Sequence, residues 1–470
     1  MSDTTTPRFV TGSTLRHVLI MTATSSVGLM SVFFVDVLNL LYISMLGKQQ
    51  LAAAIGYSGT LMFFLTSVAI GLTIATSAQV SRALGREDMT KAAELGGAGL
   101  LLMAATMVVL SACMFVFARP LTALLGAQGE TLDIAVRFMH IVVPAMPFMA
   151  VGMSAAALLR AKGDAKRSMY VTLTAAAVTA ALDPLFIFVF NLGIDGAAIV
   201  TVISRLVLLA IGLYGVVRVH NMLAMPSKAT LLTIAKPYFA IGLPAVMTQL
   251  ATPVGNAWVT AEIAKFGDDA VAGWAIIGRV TPVAFGAIFA LSGAVGPILG
   301  QNYGARRFDR IQSTMYDSFK VVVAYVFVVW LLLALLRNPI SDLFGATGDT
   351  RDLISFFFLY VAGTFVFAGL LFVANAAFNN LGFPFYSTIA NWGRATLGVI
   401  PFVSLGALWY GPQGALAGSG LGTVIFGLGA TIVCLRVLKT IGSRSPPADG
   451  IHLPAAAHSP FSTGKAATLG

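Results

Sequence analysis

The stretch Ser31-Val-Phe-Phe-Val-Asp36-Val-Leu-Asn39-Leu-Leu-Tyr42-Ile43 places one carboxylate in a run that is otherwise almost entirely apolar. A charged side chain near the bilayer centre costs about 2.5–3.5 kcal/mol, so such groups face a protein interior or a water-filled path. Asn39 lies three residues further on, which puts its amide on the same helix face as the Asp36 carboxylate. The stretch therefore predicts a membrane helix with a functional acid. The structural alternative is that Asp36 only pairs with a polar neighbour to hold helices together.

The composition extends this interpretation to the whole chain. Its 470 residues are 57% hydrophobic and only 10% charged, whereas soluble proteins are about 25% charged. Apolar stretches of 18 or more residues recur, each long enough to cross a hydrocarbon core of about 30 Å as a helix. The short alternating segments of a β-barrel are absent. We predict an all-α polytopic membrane protein with twelve transmembrane helices, at 15–43, 52–82, 93–118, 132–160, 168–191, 196–219, 237–265, 271–300, 316–337, 353–379, 385–409 and 413–438.

Basic residues are distributed unequally between the two sides of these spans. Most of the 29 Lys and Arg residues fall on the side of the N-terminus, which by the positive-inside rule places both termini in the cytoplasm. The same rule accounts for the net charge of +10 without a nucleic-acid partner. The polar N-terminus lacks a cleavable signal pattern. We therefore expect a multi-pass protein of the cell inner membrane whose first span is retained.

The two halves of the chain repeat each other at a shift of 218–220 residues. The matching glycines are Gly47 with Gly267, Gly85 with Gly304, Gly163 with Gly382, and Gly196 with Gly414. Each half has an even number of spans, so the repeats run parallel, are related by an axis along the membrane normal and leave a cleft between them. We predict two pseudo-symmetric six-helix lobes around a central cavity.

The domain boundaries follow from this repeat. They are a cytoplasmic N-terminal tail at 1–14, an N-terminal lobe at 15–220, a cytoplasmic linker at 221–235, a C-terminal lobe at 236–440, and a disordered cytoplasmic tail at 441–470.

Acidic residues deep inside the spans are confined to the first half. They are Asp36 and Asp183, while Glu262 lies close to the end of the seventh span. At the repeat shift Asp36 aligns with Asn256 and Asp183 falls near Pro401, so the second half has no equivalent acid. Ion coupling is therefore predicted in the first lobe. Pro184 removes a helix hydrogen bond and is expected to kink the fifth span beside its acid.

These landmarks resemble the multidrug and toxic compound extrusion (MATE) family. The resemblance covers residues 15–438 and rests on four motifs: Val35-Asp36 followed by Leu46-Gly47 and Leu51-Ala-Ala, Leu159-Arg-Ala-Lys-Gly163-Asp before Leu182-Asp183-Pro184, Gly193-Ile-Asp-Gly196-Ala-Ala, and Gly300-Gln-Asn-Tyr-Gly304-Ala. It implies two six-helix bundles that alternate between outward- and inward-facing states and export organic, often cationic, compounds against entering H+ or Na+.

The resemblance also implies an ion-coupling site. In the branch with acids in the first lobe, the pattern matches Asp36, Asp183 and Thr201. Where that pattern has an Asn one turn before the second acid, this chain has Thr179. The other branch carries acids in the seventh and tenth spans, and the tenth span here has none, which argues against a second-lobe cation site.

The residues leave two coupling ions open. Two carboxylates in one low-dielectric lobe can bind and release a proton. Na+ prefers a cage of oxygen atoms, which Asp36, Asp183 and the hydroxyls of Thr179 and Thr201 could supply. The missing amide carbonyl at position 179 favours H+, with Na+ as the alternative.

The substrate-binding candidates are Asn39, Gln249 and Asn256, amides placed to face the cleft. A cavity lined by apolar and aromatic groups with a few polar ones suits lipophilic cations. We expect a monomeric exporter of organic cations or drugs, in contact with the lipid bilayer and without a cofactor or a bound metal, apart from Na+ if that is the coupling ion.

Two other functions are considered. A lipid-linked oligosaccharide flippase of the same superfamily needs several basic residues in its cavity, and only Arg205, Arg279 and Arg394 are candidates, which we place near span ends. An enzyme is not indicated, because HExxH and GxSxG motifs are absent. Cys113 and Cys434 lie in apolar runs and form no disulfide framework.

Overall fold

The computed structural model describes residues 7–46 and 49–443, which are almost entirely helical. Within a bilayer every backbone N–H and C=O group must be satisfied inside its own segment, so long apolar stretches fold as helices. The helices of the first half are α1 (Thr14–Ser44), α2 (Gln49–Gly85), α3 (Met89–Val116), α4 (Ala118–Leu124), α5 (Gly129–Val142), α6 (Met146–Lys162), α7 (Ala165–Pro184) and α8 (Gly193–Leu213).

The second half follows the same order. Its helices are α9 (Lys228–Ala264), α10 (Asp268–Ala284), α11 (Gly286–Gly304), α12 (Phe308–Leu343), α13 (Gly348–Phe356), α14 (Phe365–Leu381), α15 (Pro384–Ala395) and α16 (Ile400–Ser443). Short 3₁₀ or π turns join α5 to α6 and α13 to α14, and π turns extend α7 and α8.

These helices account for the predicted spans. Ten continuous helical stretches are long and apolar enough to cross a membrane, and α10 with α11 forms an eleventh that bends by 44°. The stretch Pro384–Ile441 has 58 residues, about 87 Å at 1.5 Å per residue, which is far too long for one crossing. It breaks at Tyr410 and Gly411, whose backbone is not helical. The described residues therefore contain twelve spans.

Three predicted segment boundaries differ from the structure or lie beyond it. Helix α9 begins at Lys228, so the second half of the segment predicted as the linker 221–235 is helical. At the other end of the lobe α16 continues to Ser443. Residues 444–470, most of the predicted disordered tail, and Gly47 of the repeat lie outside the described residues.

The repeat predicted from the sequence recurs in the backbone geometry. Gly163 and Gly382, 219 residues apart, both end a helix in the left-handed conformation, with φ of 89° and 98°. This is the conformation that glycine adopts without steric cost. The 3₁₀ turns at Val143–Ala145 and Ala362–Thr364 are separated by the same interval. The two lobes are therefore structural repeats of each other.

The turn after Gly163, between α6 and α7, is closed by hydrogen bonds around Asp164. Its carboxylate caps α7 by accepting from the Arg167 backbone N–H at 3.1 Å, and His220 Nε2 lies 2.9 Å away. Burial raises the pKa of Asp164, but the hydrogen bonds from Arg167 and His220 outweigh it and hold the pKa below its usual value. The carboxylate therefore remains charged at neutral pH and fixes the basic turn between α6 and α7.

The lobes meet tightly on the side of the chain termini. A Cβ atom on Gly304 would lie 2.1 Å from the Arg82 carbonyl oxygen and 3.1 Å from the Gly85 Cα. The Arg82 guanidinium crosses between the lobes and donates to the carbonyl oxygens of Asn379 and Asn380 at 3.1 and 2.9 Å. Gly85 and Gly304, paired by the sequence repeat, therefore let the ends of α2 and α11 touch at the backbone.

On the opposite side the lobes separate. Helix α1 packs along α11, where Gly286 faces Met30, but it scarcely touches α10, the other half of the same span. Phe63 and Phe64, in the half of α2 that lies on this side, are 47% and 43% exposed. The two lobes therefore enclose a cleft that is closed on the side of the chain termini and open on the opposite side.

This geometry makes Gly304 a sensitive position. Replacing Gly304 by Ala forces the backbones of α2 and α11 apart, and overpacking of this kind costs about 1–3 kcal/mol. We expect a melting temperature several degrees lower for the purified protein in detergent, measured by tryptophan fluorescence. Gly429→Ala is the matched control, since no atom lies within 4 Å of its Cβ position. Equal melting temperatures for the two variants would contradict the close packing.

Candidate functional site

Asp183 occupies the last turn of α7 and is completely buried, with 0% exposure. Its Oδ2 atom accepts a hydrogen bond from Asn39 Nδ2 of α1 at 3.2 Å. Its Oδ1 atom is buried and has no hydrogen-bond partner among the described residues. Buried carboxylates are normally paired or fully hydrogen-bonded. Asp183 is therefore a carboxylate with capacity for one further polar partner.

The backbone beside Asp183 is distorted as predicted. Helix α7 ends at Pro184 and continues as a π turn over Leu185–Val189. Proline cannot donate the helix hydrogen bond, and π turns inside helices are frequent at functional sites. The distortion places the acid at a bend in its span.

Asp36 has a different environment from Asp183. It is exposed, and no hydrogen bond or ion pair of its side chain occurs within the described residues. It lies three residues before Asn39 on α1, whereas Asn39 itself reaches Asp183. The structure thus brings Asn39 and Asp183 into contact and leaves Asp36 accessible on the neighbouring part of the same helix face.

The two predicted threonines lie nearby but bond to their own helices. The Thr179 hydroxyl, one turn before Asp183, donates to the Ala175 carbonyl at 3.1 Å. The Thr201 hydroxyl of α8 donates to the Ala197 carbonyl at 2.8 Å. Helices α7 and α8 are joined instead by Ser204, whose hydroxyl donates to the Ala175 carbonyl at 3.0 Å. Neither threonine hydroxyl donates to a carboxylate in this structure.

Gln249 and Asn256 lie on α9 in the second lobe, apart from the first-lobe acids. Gln249 is partly exposed and Asn256 is exposed. Thr252, between them on the same helix face, accepts a hydrogen bond from Arg394 at 3.1 Å. We predicted Arg394 near a span end, and this was wrong: it lies in the last turn of α15, well inside the span that begins at Pro384 and breaks at Tyr410.

The sequence analysis also missed a buried amide cluster in the second lobe. Asn391 Nδ2 donates to Asn375 Oδ1 at 3.1 Å, and the Ser387 hydroxyl lies 3.4 Å from Asn379 Oδ1. These side chains are at most 7% exposed. The repeated Asn residues of the tenth span, Asn375, Asn379 and Asn380, are the sequence signal for this cluster. The cluster joins α14 to α15 next to the carbonyls that bind Arg82.

Comparison with known proteins identifies the family. The family model MatE matches residues 22–185 and 244–405, more than half of the 470 residues. The chain is 27% identical over 436 residues to a protein named FAD transporter from Shewanella oneidensis, covering 91% of this chain and 95% of that protein. It is also 27% identical over 315 residues to the multidrug export protein MepA of Staphylococcus aureus, covering 65% of this chain and 66% of MepA.

Solved structures share the fold. The crystal structure of the Vibrio cholerae MATE transporter VcmN in the bent form has a TM-score of 0.86 at 24% identity, covering 91% of this chain and 98% of VcmN. An outward-facing multidrug resistance MATE transporter gives a TM-score of 0.87 at 19% identity, covering 93% of this chain and 99% of that transporter. The twelve-helix, two-lobe architecture and the family match together show that the chain is a multi-pass membrane transporter of the MATE family and not an enzyme.

Proposed function

We propose that the chain is a secondary active efflux transporter that exports lipophilic or cationic organic compounds by H+ antiport through alternating access. The observation that carries the proposal is Asp183, a fully buried carboxylate with one amide donor and no ion pair among the described residues. Such a group gains from binding a proton, because the neutral form needs no solvation. Asp36, accessible on the adjacent helix, is the proposed partner in proton exchange with the cleft.

Helix α1 is the proposed link between the site and the lobes. Asn39 of α1 binds Asp183 in the first lobe, and Met30, nearer the N-terminus of α1, contacts Gly286 of the second lobe. Protonation of Asp183 would change what Asn39 can donate to and thus how α1 packs on α7. A substrate can shift this equilibrium only by binding one packing better than the other.

The proposed orientation places both termini in the cytoplasm of a cell inner membrane. The support is the excess of basic residues on the side of the termini. With that orientation, the side closed by Gly85, Gly304 and Arg82 is the cytoplasmic side. The structure is then an outward-facing state, and we propose that it works as a monomer in contact with lipid.

The coupling ion and the substrate each have an alternative. Na+ in place of H+ would use the free Oδ1 of Asp183 together with Asp36, and the Thr179 and Thr201 hydroxyls, which donate to their own helices, would still offer oxygen lone pairs. The name of the Shewanella relative makes FAD a second candidate substrate. A lipid-linked oligosaccharide flippase is a third alternative, and translocation of a lipid-linked precursor by reconstituted protein would favour it.

Efflux from proteoliposomes tests the proposed coupling. We expect an imposed pH gradient to drive export of tetraphenylphosphonium, and Asp36→Asn or Asp183→Asn to reduce that rate by at least about tenfold, because each removes a proton-exchanging carboxylate. Asp133→Asn is the matched control, since Asp133 is exposed and bonded to Arg119. Full rates in both acid variants would refute the site, and transport that needs a Na+ gradient alone would refute H+.

A double-mutant cycle tests the contact between Asn39 and Asp183. Hydrogen bonds between membrane helices contribute about 0.6 kcal/mol on average and up to about 1.7 kcal/mol. Thermal unfolding of Asn39→Ala, Asp183→Ala and the double variant should give a coupling in this range. Asn39→Ala combined with Thr201→Val should give none, because Thr201 bonds within α8. The contact is ruled out by a zero coupling in the first cycle.

A further inference from the structure

A polar stripe runs along α9 in the second lobe. Gln249, Thr252, Asn256 and Thr260 are spaced by three, four and four residues, which places them on one helix face. Thr252, Asn256 and Thr260 are exposed. The neighbouring face of α9, at Gly242 and Val246, packs against α2 of the first lobe. The stripe therefore borders the interface between the lobes.

Helices α10 and α15 flank the stripe and each donates a hydrogen bond to it. Near the open end Trp274 of α10 donates to the Thr260 hydroxyl at 2.8 Å. Two turns deeper Arg394 of α15 donates to the Thr252 hydroxyl at 3.1 Å. We call the exposed polar surface between α10 and α15 the second-lobe hollow. It is bounded by this stripe, Trp274 and Arg394.

Arg394 is the charged group of the second-lobe hollow. Its Nε atom is buried without a partner in the part of the chain that the structure describes, and it forms no ion pair there. A cation within a membrane span normally pairs with an acid or with carbonyl groups. Arg205 of the first lobe does so, donating to the Val142 carbonyl at 2.7 Å. Among the described residues Arg394 instead forms one side-chain hydrogen bond, to the Thr252 hydroxyl, and so keeps unused donor capacity among its five N–H groups.

A second unpaired cation lies on the adjacent helix. Arg279 is exposed and has no hydrogen-bond or ion-pair partner among residues 7–46 and 49–443. It lies opposite the face of α10 formed by Gly273 and Ile277, which packs against α13 and the lobe core. Arg279 is thus on the face of α10 that points away from the core of its lobe.

The acids at the first-lobe site and the cations beside the α9 stripe are therefore opposite in sign. Within the described ranges, Asp36 and Asp183 of the first lobe and Arg279 and Arg394 of the second lobe form no ion pairs. We infer that the second-lobe hollow binds an anionic group, phosphate or carboxylate, of an amphipathic aromatic substrate through Arg394. Guanidinium groups bind such oxyanions by paired, charge-assisted hydrogen bonds. The neighbouring amides on α9 supply further donors, and the indole of α10 supplies an aromatic surface. This inference rests on the proposed export function and extends its substrates beyond cations.

Binding of flavins tests the inference. The probes are FAD, which carries a diphosphate, riboflavin, which has the same ring system without phosphate, and tetraphenylphosphonium as a cation. They are titrated into full-length protein in nanodiscs of zwitterionic lipid. We expect FAD to bind at least about tenfold more tightly than riboflavin, the equivalent of one charge-assisted hydrogen bond of about 1.5 kcal/mol.

Variants assign the effect to Arg394. Arg394→Gln should remove the preference for FAD while tetraphenylphosphonium affinity stays within about twofold of the wild type, and Arg394→Lys should recover part of the preference. Arg351→Gln, which breaks a surface pair with Asp342 in the same lobe, should change nothing. Equal affinity of the wild type for FAD and riboflavin, an unchanged FAD preference in Arg394→Gln, or equal loss of all three probes would each overturn the assignment.

Two additional measurements identify the source of the phosphate and separate anion binding from cation export. A lipid headgroup could supply the same phosphate chemistry, so FAD is also titrated in nanodiscs containing phosphatidylglycerol. Loss of FAD binding there, in the wild type alone, would make the occupant a lipid and overturn a substrate role. Efflux of tetraphenylphosphonium under a pH gradient is measured separately. If that efflux fails while FAD binding depends on Arg394, the proposed export of cations is wrong and the anion site remains.

A different part of the structure supports a second inference. The segment before α1 is held between the lobes on the side of the termini. Phe9 is 1% exposed; its backbone N–H donates to Gln301 Oε1 at 2.9 Å, and its carbonyl accepts from Arg310 at 2.9 Å. Gln301 Nε2 in turn donates to the Ala161 carbonyl of the first lobe at 2.6 Å. The Arg8 guanidinium donates to the Gly163 carbonyl at 2.8 Å.

We infer that residues 8–12 act as a latch that stabilises the state closed at the termini. The segment bonds to the α6–α7 turn of one lobe and to α11 and α12 of the other, so opening this side must extract Phe9 and break the bonds of Arg310 to Phe9, Thr11 and Gly12. Each separation of the lobes would therefore expose an apolar ring and unpair backbone carbonyls.

Spin labels across the closed side test the latch. Lys166 and Phe385 are exposed residues of the first and second lobes near this side, and labels at Lys166→Cys and Phe385→Cys, with Cys113 and Cys434 replaced by Ser, report its opening. Phe9→Ala or Arg310→Gln should shift the distance distribution toward longer separations. Phe344→Ala, an exposed ring at the opposite side, should not. Unchanged distributions in both latch variants, measured on folded protein, would overturn this inference.

Discussion

The candidate coupling site depends on a partly buried hydrogen bond between two membrane helices, from the Asn39 amide to the Asp183 carboxylate. A charge in this setting is costly, and here no cation within the described chain offsets it. An amide suits this position because its N–H donates to the charged carboxylate and its oxygen can accept from the protonated acid. The strength of this hydrogen bond therefore depends on whether Asp183 is protonated, and a coupling site requires such a dependence.

Helix α1 links the protonation of Asp183 to the packing of the two lobes, because it contacts both of them. The helix carries Asp36 and Asn39 next to the first-lobe acid, and its Met30 rests against Gly286 of the second lobe. The glycine contacts at the termini and the sparse contacts at the other end leave one hinge-like side and one open side. A small change in α1 packing thus lies where it can alter the relation between two otherwise rigid lobes.

The sequence predicted the architecture well for a physical reason. In lipid a long apolar stretch satisfies its backbone hydrogen bonds within itself only as a helix. The spans, the kink at Pro184 and the pairing of Gly85 with Gly304 could therefore be predicted from residue types and spacing. The linker boundary was less predictable, because α9 extends beyond its apolar part to Lys228.

The sites were only partly predictable. Asp183 and Asn39 could be picked out because polar groups are rare in these spans, but their contact joins residues 144 positions apart, and no local pattern encodes it. Arg394 was misplaced because the depth of a side chain depends on where its helix begins and breaks, here at Pro384 and Tyr410. The amide cluster around Asn375 and Asn391 was missed because asparagine in a span carries no charge to draw attention.

The central claim is that the buried acid exchanges a proton in step with substrate. The most direct measurement is proton release from weakly buffered, purified protein on addition of tetraphenylphosphonium, followed with a pH indicator dye. We expect release of about one proton per bound substrate in the wild type and none in Asp183→Asn. Binding without proton release in the wild type, or equal release from the variant, would contradict the claim.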